Sequence, residues 1–286
     1  MEVNKMIVGC LGYGYIAKYL LNELSANGVR CYGITDNQLL LKKERLENIT
    51  LFSRKMTLDV INKCTHLVIT APPEKKSCPI LFKYKEHIKK SNVSSVLYVS
   101  TTGVYGDHKG AWVDEQSITK GAKNIYSKSR IDSENFWIKF CKSKAIILNI
   151  IRLSAIYGPG KVRNKKDFFK NILIKENHYF SRVHVLDIAR LMTKILYNSN
   201  SFNYWNISDE QPSTRKEFVN RIIKLKNIKK YKFINYEDQK ESLTELGKKF
   251  WEENKKVSSE KIKKKFNYIY LFPNFRSGLK HIIKHA

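Results

Sequence analysis

A chain of 286 residues with 42% hydrophobic content can bury most of its apolar surface, in one large domain or in two modest ones. It holds no apolar run near the roughly 20 residues that span a bilayer, and "MEVNKMIVGCLG" passes directly into a strand-like run; a cytoplasmic protein without membrane anchor or secretory leader is expected. A net charge of +27 raises nucleic-acid binding, but the lysines are scattered among Glu, Asn and Ile without stacked aromatics or a helix-turn-helix or zinc-finger pattern, which sets that class aside.

From the N-terminus, "KMIVGCL" reads as a short buried strand, "GYIAKYLLNELSANG" has apolar residues at helical spacing with Gly28 as its stop, and "VRCYGIT" is strand-like again. The alternation continues through "THLVIT" (strand), "CPILFKYKEHIKK" (helix), "SSVLYVS" (strand), "IYSKSRIDSENFWIKFCKS" (long helix) and "AIILNIIRL" (strand). Strands alternating with helices, and made almost wholly of Val, Ile and Leu, predict an α/β fold: a doubly wound parallel Rossmann sheet, its first strand central and ending at Gly12. After Arg152 the pattern loosens into "SAIYGPGKVRNKKD". The expected division is a dinucleotide-binding domain over 1–160 and a smaller, mainly substrate-binding portion over 161–286, part of 182–207 returning to the sheet. Cys10, Cys31, Cys64, Cys78 and Cys141 include no CxxC pair and mostly lie in apolar runs, so they read as small hydrophobes, with no disulfide and no metal site indicated.

"GCLGYGYIA" sets Gly12, Gly14 and Ala17 in a GxGxxA pattern between the first strand and the first helix. The first glycine suits a tight turn, the second lets backbone amides approach a pyrophosphate at the helix start, and the small third residue lets the helix pack closely on the sheet. Gly9, Tyr15 and Ile16 in the same segment, with Ala71 and Pro72 after "THLVIT", complete the cofactor-binding candidates. Asp36 ends the second strand 22 residues after Gly14, near the interval at which an acid meets the adenosine ribose. An acid there accepts from a free 2′-hydroxyl and repels a 2′-phosphate, so NAD is expected to bind more tightly than NADP. Lys42 and Lys43 keep NADP open, since they stand in the next segment.

Five motifs in order resemble the extended short-chain dehydrogenase/reductase superfamily of NAD-dependent epimerase/dehydratase type. They are "STTGVYGD", "YSKSR", "IIRLSAIYGPG" (150–160), "RVHVLDIA" (182–189) and "YWNISDEQPSTRKEF", which together span most of the chain. The resemblance implies Thr101 as the catalytic hydroxyl, Tyr126 as the tyrosine of YxxxK, and a substrate that is a small molecule, nucleotide sugars among the candidates. It also permits a homodimer packed through two long helices flanking the sheet. Two departures mark the chain as atypical: the glycine loop is not TGxxGxxG, and Arg130 stands in place of the lysine.

A hydride leaves a carbinol carbon only as its hydroxyl proton is taken, so a tyrosine assisted by a cation one helical turn away is a suitable base. Tyr126 and Arg130, at i and i+4, share a helix face, and Thr101 would hold the substrate oxygen. Arg130 with Glu134 at i+4 is an alternative pairing on the same spacing. Substrate-contact candidates are Tyr105, His108, Trp112, Tyr157 and His184, with Asp114 and Glu115 on the same loop as Trp112, while Asp187 is expected to cap the helix beside it. The expected function is an NAD(P)-dependent oxidoreductase or sugar-nucleotide epimerase/dehydratase with Tyr126 as general base and acid. A dinucleotide-binding sensor or scaffold without turnover is the alternative.

Overall fold

Runs such as "IVGCL" and "SVLYVST" are too short for a stable helix and too apolar for a surface, so they become strands buried on both faces. The computed structural model describes residues 6–43, 47–74, 78–121, 125–162, 167–198 and 200–284. β1 (Ile7–Leu11), α1 (Tyr15–Ala26), β2 (Arg30–Ile34), α2 (Gln38–Lys43), β3 (Ile49–Phe52), α3 (Thr57–Lys63), β4 (His66–Ile69), α4 (Pro79–Lys90) and β5 (Ser95–Thr101) alternate without interruption. There follow β6 (Trp112–Val113), α5 (Ile125–Ser143), β7 (Ile147–Leu153), β8 (Ala155–Tyr157), α6 (Asp167–Lys170), β9 (Ile172–Ile174), β10 (Tyr179–Phe180) and β11 (Arg182–His184). The chain ends through α7 (Val185–Asn198), β12 (Asn203–Ile207), β13 (Ser213–Thr214), α8 (Arg215–Leu225), β14 (Phe233–Asn235), α9 (Tyr236–Gln239), α10 (Glu245–Glu252), β15 (Lys256–Val257), α11 (Glu260–Phe266) and α12 (Phe275–Lys284).

Seven strands form the central sheet in the order β12-β7-β5-β4-β1-β2-β3, with β1 central as expected. The register is what positions the site. Leu11 of β1 lies opposite both Ile34 of β2 and Ile69 of β4, and Ile34 lies opposite Phe52 of β3, so four parallel strands finish level at one edge. Every residue that follows them, Gly12, Thr35, Thr70 and Ser53, therefore starts a loop at that edge.

The chain divides into two compact units: Met1–Thr101 with Ile125–Arg152 and Ile188–Trp205, and Thr102–Asn124 with Leu153–Asp187 and Asn206–Ala286. In the first unit, α1 ends where the residue types dictate, with Gly28 at φ +76° just beyond its last turn. Its core runs from Val60, Ile61 and Leu67 to Tyr98 and the fully buried Trp137 of α5, a side chain whose removal typically costs about 3–5 kcal/mol. Burial pushes the thiols of Cys10, Cys31, Cys64 and Cys141 up to about 12, so they pack as neutral groups. In the second unit, Phe169, Ile172, Val219, Ile222, Phe275 and Leu279 form a separate core. There α8 opens with a capping box, in which the Glu217 N–H donates to Thr214 Oγ1 (3.2 Å) and the Thr214 N–H to Glu217 Oε2 (2.8 Å). Among the described residues no helix is long and apolar enough to cross a membrane.

Candidate active site

At the level edge of β1, β2 and β4 lies a cavity of about 600 Å³, walled by Gly12, Gly14, Asp36, Arg54, Ala71 and Pro72 with neighbours from α4. Gly12 makes the turn out of β1 at φ +112°, where a side chain is strained, and a Cβ there would stand 2.7 Å from the Ala71 nitrogen. The Thr70 hydroxyl donates to the Gly12 carbonyl and ties the turn to the end of β4. Gly14 differs: its φ is −110°, and a Cβ would meet nothing nearer than the Gly12 oxygen at 4.0 Å. Its bare backbone borders open space, and α1 starts there with no side-chain cap and no acid in its first turn. A helix start left without a capping side chain attracts anions through its exposed N–H groups. These residues fit a dinucleotide: backbone from 12–17 for the pyrophosphate, Asp36 for the adenosine ribose.

The other cofactor candidates are placed differently. Gly9 lies inside β1, where a Cβ would meet Cys64 Sγ at 2.7 Å, so its smallness serves the packing of the layer behind the strand. Ala17 is fully buried against the sheet, and Tyr15 and Ile16 open the first turn of α1. Sequence reasoning missed Arg54, whose Nη2 sits 2.7 Å from Asp36 Oδ2 at the cavity wall. The available signal was "ITLFSRKM", a short β-branched run ending in a cation, which is β3 and the turn beyond it.

The catalytic candidates lie on β5 and α5. Thr101 ends β5, half-buried, and Tyr126 stands in the first turn of α5, 56% exposed. Arg130 Nη1 donates to the Val99 carbonyl at 2.8 Å, so the guanidinium is tied to the strand. The alternative pairing of Arg130 with Glu134 does not form. Glu134 is buried and accepts instead from the Ser100 hydroxyl (2.5 Å) and from Arg152, through Nη2 at 2.7 Å and Nε at 3.2 Å. Arg152, 18 residues further on, also lies over the Tyr204 ring at 4.3 Å. Of the three hydroxyls in "STT", Ser100 is thus committed to the core and Thr102 is buried, while Thr101 stands half-buried at the strand end.

The substrate candidates all belong to the second unit. Tyr105 is buried and donates to Asn206 Oδ1 at 2.8 Å. His108 Nε2 faces the carbonyls of Tyr105 (3.1 Å) and Ile118 (3.2 Å); two acceptors there fix the Nε2–H tautomer and pin the loop. Trp112, on β6, is 57% exposed. His184 is fully buried against Tyr157 and Phe272, accepts the Leu186 N–H on Nδ1 at 3.3 Å, and is pushed down to about 4 by burial and by His281. Tyr157 donates to the Asn274 carbonyl at 3.3 Å and lines a second cavity of about 260 Å³. Sequence reasoning missed the rest of that cavity: Arg182, Arg215, Lys161, Phe180 and Phe218 make it cationic and aromatic. Arg182 donates through Nη1 to Ser213 Oγ (2.6 Å) and to the Phe180 and Ser213 carbonyls, and burial pulls it down to about 10, which leaves it charged at neutral pH. Asp187 stands inside the first turn of α7, not before it, and its carboxylate accepts from Tyr268 Oη (2.7 Å) and the N–H groups of Leu271 (2.8 Å) and Phe272 (3.1 Å). Its role is to clamp the C-terminal segment; it is not the helix cap that the sequence suggested.

The first unit is therefore of the Rossmann class, in which ligands bind where the strand order turns round. Residues 83–208 match the model of the NAD dependent epimerase/dehydratase family. The chain is similar to a functionally unknown conserved protein from Silicibacter pomeroyi, at 27% identity and a TM-score of 0.89, over 98% of this chain and 99% of that one. It is also similar in fold to UDP-glucuronic acid 4-epimerase from Bacillus cereus in complex with NAD, at 15% identity, a TM-score of 0.77 and coverage of 98% and 97%. A human epimerase family protein with NADPH matches at 14% identity, a TM-score of 0.69 and coverage of 98% and 100%. No curated protein matches the sequence. Residues 83–208 thus resemble the NAD dependent epimerase/dehydratase family, and the whole chain takes the fold of these neighbours.

Proposed function

We propose that this protein is an NAD(P)-dependent oxidoreductase or nucleotide-sugar epimerase/dehydratase that acts on a hydroxyl or keto group. The observation that carries this reading is the cavity at the edge of β1 and β2, with the bare Gly14 backbone, the uncapped start of α1 and Asp36 in one wall. A bound nicotinamide supplies the hydride acceptor. Tyr126 takes the substrate hydroxyl proton and returns it, and Thr101 orients the substrate oxygen from the end of β5. Within the second unit, the cationic and aromatic cavity suits an anionic ligand with a planar part. The Bacillus cereus neighbour, named for UDP-glucuronic acid, belongs to that chemical class.

The direct test is a thermal-shift panel of NAD, NADP and nucleotide sugars, in which a ligand at 100 times its dissociation constant adds about 2.7 kcal/mol of stability. On a substrate found this way, Tyr126→Phe should lower turnover roughly 100- to 10,000-fold with cofactor affinity kept, and Arg130→Lys should preserve or raise it. An unchanged rate in Tyr126→Phe would remove the tyrosine from the chemistry. One observation favours a second reading, a dinucleotide-binding protein without turnover: Arg130 is tethered to the Val99 carbonyl. On that reading NAD or NADP binds and no member of the substrate panel is converted.

A further inference from the structure

Arg152 and Arg182 are both buried, at 4% and 7% exposure, but their charges are met differently. Arg152 is paired with Glu134 at 2.7 Å, whereas Arg182 forms no ion pair among the described residues. The acids that act on Arg182 from a distance bond elsewhere: Asp209 Oδ1 accepts from the Gln211 N–H at 3.2 Å, and Glu217 Oε2 from the Thr214 N–H. All three hydrogen bonds of Arg182 are made by Nη1, so Nε and Nη2 have no partner among the described residues. A buried cation without an anion is unfavourable, and Arg215 nearby adds a second positive charge instead of cancelling the first.

We infer that the second cavity, which Arg182 lines with Arg215 and Lys161, binds a small amphiphilic anion: an aryl or short acyl body carrying one carboxylate or phosphate head, with Arg182 taking the head. Nε and Nη2 lie along one edge of the guanidinium, the edge that holds a carboxylate or phosphate in two parallel hydrogen bonds. The site is built from the second unit alone and stands whether or not the first unit binds a dinucleotide. Its consequence for activity rests on the functional reading above: it favours an oxidoreductase of small anionic hydroxy or keto compounds over a nucleotide-sugar epimerase.

Size and walls both select against a nucleotide sugar. The volume of about 260 Å³ is room for about nine waters, below the roughly 300–1,000 Å³ of sites that enclose drug-sized ligands. A nucleoside diphosphate sugar belongs to that larger class; a ring with one head does not. Val162, Phe180, Phe218, Ile222 and Phe250 present apolar surface, and among the described residues the walls include no Asp, Glu, Asn, Gln, Ser, Thr or His. The Tyr157 hydroxyl is already bonded to the Asn274 carbonyl. A sugar brings several hydroxyls, and each that leaves water without an acceptor weakens binding. An aryl ring brings none, and the stacked Phe180–Phe250 pair (5.0 Å, 21°) gives it an aromatic wall.

Calorimetric titration of the intact protein tests this with phenylacetate, phenyl phosphate, phenylacetamide (the body without the charge), inorganic phosphate (the head without the body) and UDP-glucuronic acid, with NAD alongside. Phenylacetate and phenyl phosphate should bind with millimolar or tighter constants, phenylacetamide and inorganic phosphate at least about tenfold more weakly, and UDP-glucuronic acid more weakly than phenyl phosphate. Arg182→Met should abolish the preference for phenylacetate over phenylacetamide, and Arg182→Lys should recover part of it. Ala155, an exposed wall position of β8 opposite Arg182 in the register, gives a second variant: Ala155→Trp should fill the cavity and weaken both aryl anions by about tenfold or more, with the melting temperature near the parent value. Should Arg182→Met fail to fold, Ala155→Trp decides in its place. Equal binding of phenylacetamide and phenylacetate, inorganic phosphate as tight as phenyl phosphate, UDP-glucuronic acid tighter than either aryl anion, or anion binding that Ala155→Trp leaves unchanged would each overturn the inference. Failure of NAD alone to bind would remove the dinucleotide reading and leave the anion site standing.

Discussion

Two glycines two residues apart, Gly12 and Gly14, do different work, and substitution separates them. Gly12 has φ +112° and no room for a Cβ beside the Ala71 nitrogen, so Gly12→Ala should lower stability by about 1–3 kcal/mol whether or not a ligand is present. Gly14 has an ordinary φ and open space before it, so Gly14→Ala should melt close to the parent temperature, yet place a methyl where a pyrophosphate would approach. Its dinucleotide affinity should fall by about tenfold, or 1.4 kcal/mol. Denaturation and calorimetry on the two variants check both outcomes; equal loss of stability would contradict the distinction. The sequence shows both glycines through their spacing, because the turn and the helix start are local. Arg54 and Arg182 are not visible in the same way: each matters through a neighbour brought beside it by the sheet or by a distant loop, Asp36 in one case and Ser213 in the other.

Among the elements, the buried parallel strands were legible because burial on both faces leaves only apolar residues, as in "IVGCL" and "HLVI". β3 was not, because this edge strand has just four residues, "ITLF", with one of them exposed. The two- and three-residue strands of the second unit carry no period at all. α5 shows the same limit in its side chains. Helical spacing puts Arg130 and Glu134 on one face but says nothing of what that face meets, and burial gives Glu134 to Arg152 of β7 and Ser100 of β5. Glu134 therefore joins α5 to two strands. Glu134→Gln would leave the Arg152 cation buried without its counter-charge and should cost about 3–5 kcal/mol in chemical denaturation, whereas an exposed pair such as Lys128–Asp132 should cost under about 1 kcal/mol. A loss below 1 kcal/mol for Glu134→Gln would show that the triad does not hold the helix.

At the scale of the whole molecule, stability should depend on pH through three buried groups of the second unit. Burial holds His178 and His184 down at about 4, so each folds as a neutral ring. Their contribution is complete above the unfolded value near 6.5 and is lost as pH falls from there towards 4, because the unfolded chain binds protons that the folded one refuses. Burial raises Asp209 to about 8, with the opposite sign: its contribution is complete below the unfolded carboxylate value near 4 and is lost as pH rises towards 8. Two histidines against one carboxyl give a stability maximum near pH 6 to 7, with a fall on the order of 1–3 kcal/mol by pH 4.5. His178→Gln should flatten the acid limb and Asp209→Asn the alkaline one in denaturation curves across this range. A stability profile that is flat from pH 4.5 to 8 would contradict the buried neutral states.

Calorimetric titration of the intact protein with NAD and with NADP decides whether the edge of β1 and β2 binds a dinucleotide. Saturable one-to-one binding is expected, weakened about tenfold in Gly14→Ala while the melting temperature of that variant stays near the parent value. Binding of neither cofactor, or binding that Gly14→Ala leaves untouched, would contradict it.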